Sequence, residues 1–331
     1  MTQAQRPTRV PWLRLVQIVC TLGLGVVLAR SIDWASFGAS LASLRWGFVA
    51  LAALFLLAAH ALNVVRWRGL LPPGAIAPGT LAAYYGAGLF CNNFLPTGIG
   101  GDGVRAALAA RHVALPPALL SVALDRGVGL AGLGLFLLPA LWFGLPAGLG
   151  DRLALPALPS QWLWVLAVIA IGAALGGVGA LLYGRGQQLR GLLTRVAGSA
   201  QVPATARRGV RGWAALLLNT YALSVCSNLG TIAAHWAILA ALGISVSPGA
   251  AIWLVLAGSL SMLLPISINS LGVLESVFIV VLAAYGVPAP TALAVALLAR
   301  ALSTLYSLAG GALSLRTGGW AVKEPTAKLL N

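Results

Sequence analysis

Apolar residues run along this chain for about a membrane thickness, stop at short polar or basic punctuation, and begin again. The uninterrupted runs are Trp12–Ala29, Gly47–Val65, Val128–Leu145, Trp162–Tyr183, Trp213–Leu242 and Thr291–Leu315. Each is near or above the roughly 20 residues an α-helix needs to cross the hydrocarbon. The runs do not alternate apolar with polar, so they predict transmembrane helices and not the strands of a membrane barrel.

Two further regions are apolar but interrupted. Gly79–Val113 breaks at Pro96–Gly103, and Gly249–Gly286 breaks at Pro265–Gly272. Their limbs are mostly too short to cross alone, so each region reads as a re-entrant hairpin or as a pair of short spans. Non-helical backbone survives at that depth only where protein or a water-filled cavity surrounds it. The first turn holds Pro96, Gly98, Gly100 and Gly101, and the second holds Pro265, Ser267, Asn269 and Gly272. Each turn follows a Leu-Pro step and leads to an acid, Asp102 in the first and Glu275 in the second. About one span later comes a Val-Ala-Leu run ending in an arginine: Val122-Ala123-Leu124-Asp125-Arg126, then Val295-Ala296-Leu297-Leu298-Ala299-Arg300. The chain therefore reads as two related halves. Interrupted segments in corresponding positions of two halves point to the substrate site of a transporter.

Composition agrees with this pattern. The 331 residues are 60% hydrophobic and 8% charged, where a soluble domain carries about 25% charged residues. The formal net charge is +15, but its placement argues against nucleic-acid binding. Arg185, Arg190, Arg195, Arg207, Arg208 and Arg211 gather between Gly184 and Gly212 with no acid among them, and other basic residues flank apolar runs. That is the positive-inside bias of a membrane protein, reinforced by anionic lipid. Leucines and a valine among those arginines suggest an amphipathic helix on the inner surface.

The charge bias also assigns sides. The basic N-terminus lies inside and leads into an uncleaved first span; Arg30–Arg45 is then an outer loop. Arg66, Arg68, Arg105 and Arg111 fall near the inner face, and Arg316, Lys323 and Lys328 return there. The expected fold is an all-α polytopic membrane protein of one transmembrane domain, 1–331, built as two inverted repeats. Each repeat has three spans and one broken or re-entrant hairpin. The first covers about 12–145 and the second about 161–316, with 184–212 as a basic cytoplasmic loop. The expected location is the inner (cytoplasmic) membrane, with both termini cytoplasmic.

Charges at membrane depth are costly, about 2.5–3.5 kcal/mol each on insertion scales. Those to explain are Asp102, Arg105, Asp125, Arg126, Glu275 and Arg300. Asp102 and Arg105 are three apart and share a helix face. Asp125 and Arg126 are neighbours, so they point apart and need separate partners. Glu275 has no base nearby in sequence, which leaves Arg300 or Arg126 as its partner. Two readings stand. The charges are ion pairs that pin the broken helices, or the arginines bind a phosphate while the acids position them or couple an ion. Asp102 near a helix start also suits a cap, and the same N–H groups suit a lipid phosphate.

Other features have plainer readings. The polar residues Asn219, Thr220, Ser224, Ser227, Asn228 and Thr231 lie at helical spacing on one span and suggest interhelical hydrogen bonds or a hydrophilic path. Gly172, Gly176, Gly177 and Gly179 suggest a helix-packing surface. Trp12, Trp46, Trp67, Trp162, Trp164 and Trp213 stand at span ends, as an interfacial belt requires. Neither the three cysteines nor the three histidines have metal-ligand spacing. No catalytic constellation, metal site or cofactor is expected.

The stretch Leu95 through Arg105, the run Ser121 through Arg126, and the stretch Leu264 through Glu275 followed by Arg300 resemble a flippase-like transmembrane family. That family is related to the membrane part of lysylphosphatidylglycerol synthases and includes hopanoid-associated members. Asp102 stands where glutamate is commoner, Ser270 where glycine is usual, and Gly129 near the place of an acid. The resemblance implies movement of a phospholipid or isoprenoid lipid between leaflets, without synthase activity. On this reading Arg105, Arg126 and Arg300 contact the lipid phosphate, and Asp102, Asp125 and Glu275 hold the arginines or couple ion movement. The alternatives are a non-transporting accessory subunit of a lipid or cell-envelope biosynthesis enzyme, and a membrane-embedded lipid transferase.

Overall fold

A computed structural model describes residues 12–94, 100–142, 210–262 and 267–316. The expected span Trp162–Tyr183, the glycine surface after Gly172, the basic segment 184–212 up to residue 209 and the turn residues Pro96, Gly98 and Pro265 lie outside the described residues.

The first half begins with α1 (Trp12–Ser31), α2 (Trp34–Ala42) and α3 (Trp46–Leu70). It continues with α4 (Pro78–Phe94), α5 (Gly100–Ala109), α6 (Leu115–Gly134) and α7 (Leu137–Trp142). The second half has α8 (Val210–Ala241), α9 (Pro248–Ser261), a 3-10 turn (Ile268–Ser270), α10 (Val273–Ala283) and α11 (Ala289–Arg316). No strand occurs among the described residues. Trp46–Leu70, Leu115–Ala140, Ala215–Ala241 and Ala289–Arg316 are long and apolar enough to cross a membrane. Large apolar side chains such as Leu54, Leu57, Leu218, Leu229 and Leu305 are exposed on these helices, as faces in contact with lipid must be.

Two expectations need correction. Arg30–Arg45 is not a plain loop, because Trp34–Ala42 is helical. The Asp33 carboxylate accepts from the Ala35 N–H and the Ser36 hydroxyl at the open helix start. Those bonds, Ser36 foremost, hold the Asp33 carboxyl below its ordinary pKa. The span expected to begin at Val128 begins at Leu115 instead. Prolines in its first turn start the helix where an N–H would be unpaired anyway. The helix then carries Asp125 and Arg126 through its middle, which is possible because both are paired.

The limbs of the interrupted regions are 17, 10, 14 and 11 residues long. At 1.5 Å per residue they span roughly 15 to 25 Å, short of the roughly 30 Å hydrocarbon. The second break is a run of left-handed backbone: Asn269 at φ 49°, Ser270 at φ 51° and Gly272 at φ 81°. Helix α10 restarts with Glu275 Oε2 accepting from the Gly272 N–H at 2.8 Å.

One apolar core gathers α8 to α11 around Ile238, Leu254, Phe278, Leu282 and Val295. A second lies beneath the first break, with Trp67, Leu81, Tyr84, Tyr85, Leu108 and Val122. The halves interlock where α4 crosses α11. A Cβ on Gly86 would stand 2.5 Å from the Gly310 Cα, so only glycine permits this approach.

Candidate functional site

Helices α3, α5 and α6 bring five charged side chains into one ladder. Arg66 Nε donates to Asp125 Oδ1 at 2.7 Å, and Arg105 Nη2 donates to Asp125 Oδ2 at 2.9 Å. Arg105 Nη1 reaches Asp102 Oδ1 at 3.5 Å, and Arg126 Nε donates to Asp102 Oδ2 at 2.6 Å. The order is Arg66–Asp125–Arg105–Asp102–Arg126. Three arginines face two aspartates, so these five groups carry one positive charge beyond their own pairing. Arg66, Arg105 and Asp125 are buried. The Arg126 side chain is 50% exposed and ends the ladder.

The burial of Arg105 has further support. Its Cζ lies 4.3 Å from the Trp67 ring centroid and 4.9 Å from that of Tyr85. A desolvated cation over an aromatic face gains about 2 kcal/mol, and each charge-assisted hydrogen bond about 1.5–3 kcal/mol. Together these offset the cost of holding an arginine at depth. Trp67 is itself fixed by a 3.1 Å hydrogen bond from Nε1 to Ser121 Oγ. Trp67 was expected in the interfacial belt, but it is fully buried. Its neighbour Arg66 turns inward to Asp125, and Trp67 follows it under the first break.

The second half repeats one rung of this ladder. Arg300 Nε donates to Glu275 Oε1 at 2.5 Å. Arg300 Nη1 and Nη2 donate to the carbonyls of Asn269 and Ser270, each at 3.3 Å. The guanidinium therefore holds the two left-handed residues and the start of α10 together. Asp102 is the third residue of α5 and pairs with an arginine 24 residues on; Glu275 is the third of α10 and pairs with one 25 residues on. Both breaks thus carry an acid one turn into the new helix, tied to an arginine on the following long helix.

The breaks also meet each other. Asn269 Nδ2 donates to Asn93 Oδ1 at 3.3 Å, and Asn92 Oδ1 accepts from the Gly101 N–H at 2.9 Å. The carboxylate of Asp102 is engaged by two arginines, while Asn92 takes an N–H at the start of α5. On α8, Ser224 and Asn228 hydrogen-bond the carbonyls of Val128 and Gly129 on α6, while Thr220, Ser227 and Thr231 bond within their own helix.

Of the three arginines expected at a head group, Arg105 and Arg300 thus have their strong donors against the protein, and Arg126 keeps half its side chain outward. In the sequence Arg66 serves only to orient the chain, Ser121 stands only at the start of a family-like run, and Tyr85, Asn92 and Asn93 carry no signal. The one signal for Arg66 was Asp125, an acid at depth whose adjacent arginine had to point elsewhere.

Fold and site define a polytopic α-helical membrane protein with two interrupted segments, each tied by a paired acid and arginine. The family model for the lysylphosphatidylglycerol synthase TM region matches residues 14–311, and the chain belongs to that family. A comparison with curated proteins found no significant match.

Proposed function

We propose that this protein moves a lipid with a phosphate-bearing head group between leaflets, with Arg126 as first contact for the phosphate. The observation that carries this reading is the ladder, which has one arginine more than it has aspartates and ends in a half-exposed guanidinium. A cation excess at membrane depth is unfavourable unless an anion compensates it, and arginine is well matched to phosphate oxygens. Arg105 sets the position of Asp102, and Asp102 sets that of Arg126. Arg300 and Glu275 keep the second break in shape. The head group passes where the two breaks meet, at Asn93 and Asn269. Membership of a family named for the membrane region of a lipid synthase supports a lipid-related role. On this reading the protein performs no chemistry on the lipid and sits in the inner membrane with both termini cytoplasmic.

The purified chain in proteoliposomes should exchange labelled anionic phospholipid between leaflets faster than protein-free vesicles do. No acceleration, across several lipids and imposed ion gradients, would contradict the proposal and favour an accessory role beside a lipid-biosynthesis enzyme.

A further inference from the structure

Among the described residues four buried side-chain polar atoms lack a hydrogen-bond partner, those of Asn63, Arg105, Ser267 and Tyr285, and the first two belong to side chains that meet Tyr85. One is the acceptor Asn63 Oδ1 and the other is the donor Arg105 Nε. Arg105 lies over the Tyr85 ring. The Asn63 side chain reaches the Tyr85 hydroxyl, and His60 Nδ1 is 3.4 Å from that hydroxyl. Asn63 stands seven residues before the end of α3, about 10 Å inside it. Helix α3 carries His60, Asn63, Arg66 and Trp67 three and four residues apart, a spacing that places them along one side. The polar string continues to Tyr306, whose ring is 5.5 Å from that of His60 and whose hydroxyl donates to the Ala53 carbonyl.

An unmade buried acceptor destabilises a fold. Asn63 is thus a poor choice for stability alone, and its vacant oxygen suits a ligand that brings a donor. We infer that Asn63, with Tyr85 and His60 beside it, is a subsite for hydrogen-bond donors of the lipid head group. It gives the protein a preference for head groups bearing a hydroxyl or amine. This rests on the lipid movement proposed above: the phosphate meets Arg126, and Arg105 joins the two places, because it bonds the aspartate that holds Arg126 and also covers Tyr85.

The test is binding to the purified full chain of two short-chain lipids of equal charge, dihexanoyl-phosphatidylglycerol and dihexanoyl-phosphatidylmethanol. Only the first carries free hydroxyls. Wild type should bind it about five-fold more tightly, the worth of one neutral hydrogen bond. Asn63→Leu should bring the ratio near one. Tyr85→Phe, which removes only a hydroxyl, should lower the ratio in the same direction and serves if the first variant fails to fold. A wild-type ratio near one, or a ratio unchanged in both variants, overturns the subsite while leaving head-group binding intact, and marks Asn63 Oδ1 as water-bound only. Failure of wild type to bind either lipid overturns the subsite together with the proposed function.

Discussion

Asn269 donates its side-chain amide to Asn93 at 3.3 Å, and this contact joins the two breaks of the fold. The residues are 176 positions apart. The bond is neutral and worth about 1 kcal/mol, so it can open without unfolding either half. If the head group passes here, fixing the contact should stop passage. Cysteines placed at 93 and 269, in a background with the three native cysteines replaced, should form a disulfide under mild oxidant. Lipid exchange should fall on oxidation and return on reduction; a cross-linked protein that exchanges at the uncrosslinked rate would show that the breaks need not part.

Ser270 holds φ at 51° beside Asn269 at 49°. Asparagine tolerates left-handed backbone far better than serine, and glycine is freest of all. Ser270→Gly should therefore stabilise by roughly 0.5–1 kcal/mol, read as a higher thermal midpoint. The Arg300 bonds are to carbonyls, and this substitution keeps them. A lower midpoint would show that the serine side chain is needed.

Asp125 is the hinge of the charge ladder because it alone accepts from both Arg66 and Arg105. Asp125→Asn leaves two buried arginines short of a counter-charge. The expected loss is about 3–5 kcal/mol, seen as low yield and early unfolding. Full stability in this variant would mean that the ladder does not hold α3, α5 and α6 together.

Gly310→Leu should separate the halves. A Cβ at Gly310 would stand 2.5 Å from the Gly86 Cα, and backbone cannot swing aside as a side chain can. Overpacking of this kind costs about 1–3 kcal/mol. A thermal midpoint equal to wild type would contradict the α4–α11 contact.

Long helices were legible because nothing competes with an unbroken apolar run. The stretch expected as Gly47–Val65 is helix α3, and that expected as Thr291–Leu315 is α11. The beginning of α6 was hidden because Asp125 and Arg126 make its middle look polar. Only the folded neighbours, Arg66, Arg105 and Asp102, cancel those charges. Helix α2 was hidden because it is nine residues long and rests on one capping aspartate. Spacing alone shows that Asp102 and Arg105 share a face. The partners of Asp125 and Arg126 depend on how α3, α5 and α6 cross, which no local pattern records. For the same reason Trp67, a span-end tryptophan in the sequence, is buried under a guanidinium in the fold.

Arg126 tests the central claim most directly, because it is half-exposed and its loss leaves the buried part of the ladder paired. The decisive measurement is leaflet exchange of labelled anionic phospholipid in proteoliposomes with wild type, Arg126→Gln and Arg126→Lys. One charge-assisted hydrogen bond is worth about 1.5–3 kcal/mol, so Arg126→Gln should slow exchange by roughly ten-fold or more in a protein that still folds. Arg126→Lys should recover part of the rate, since lysine supplies the charge without the planar fork. Exchange at the wild-type rate in Arg126→Gln would contradict the assignment of the head group to this ladder.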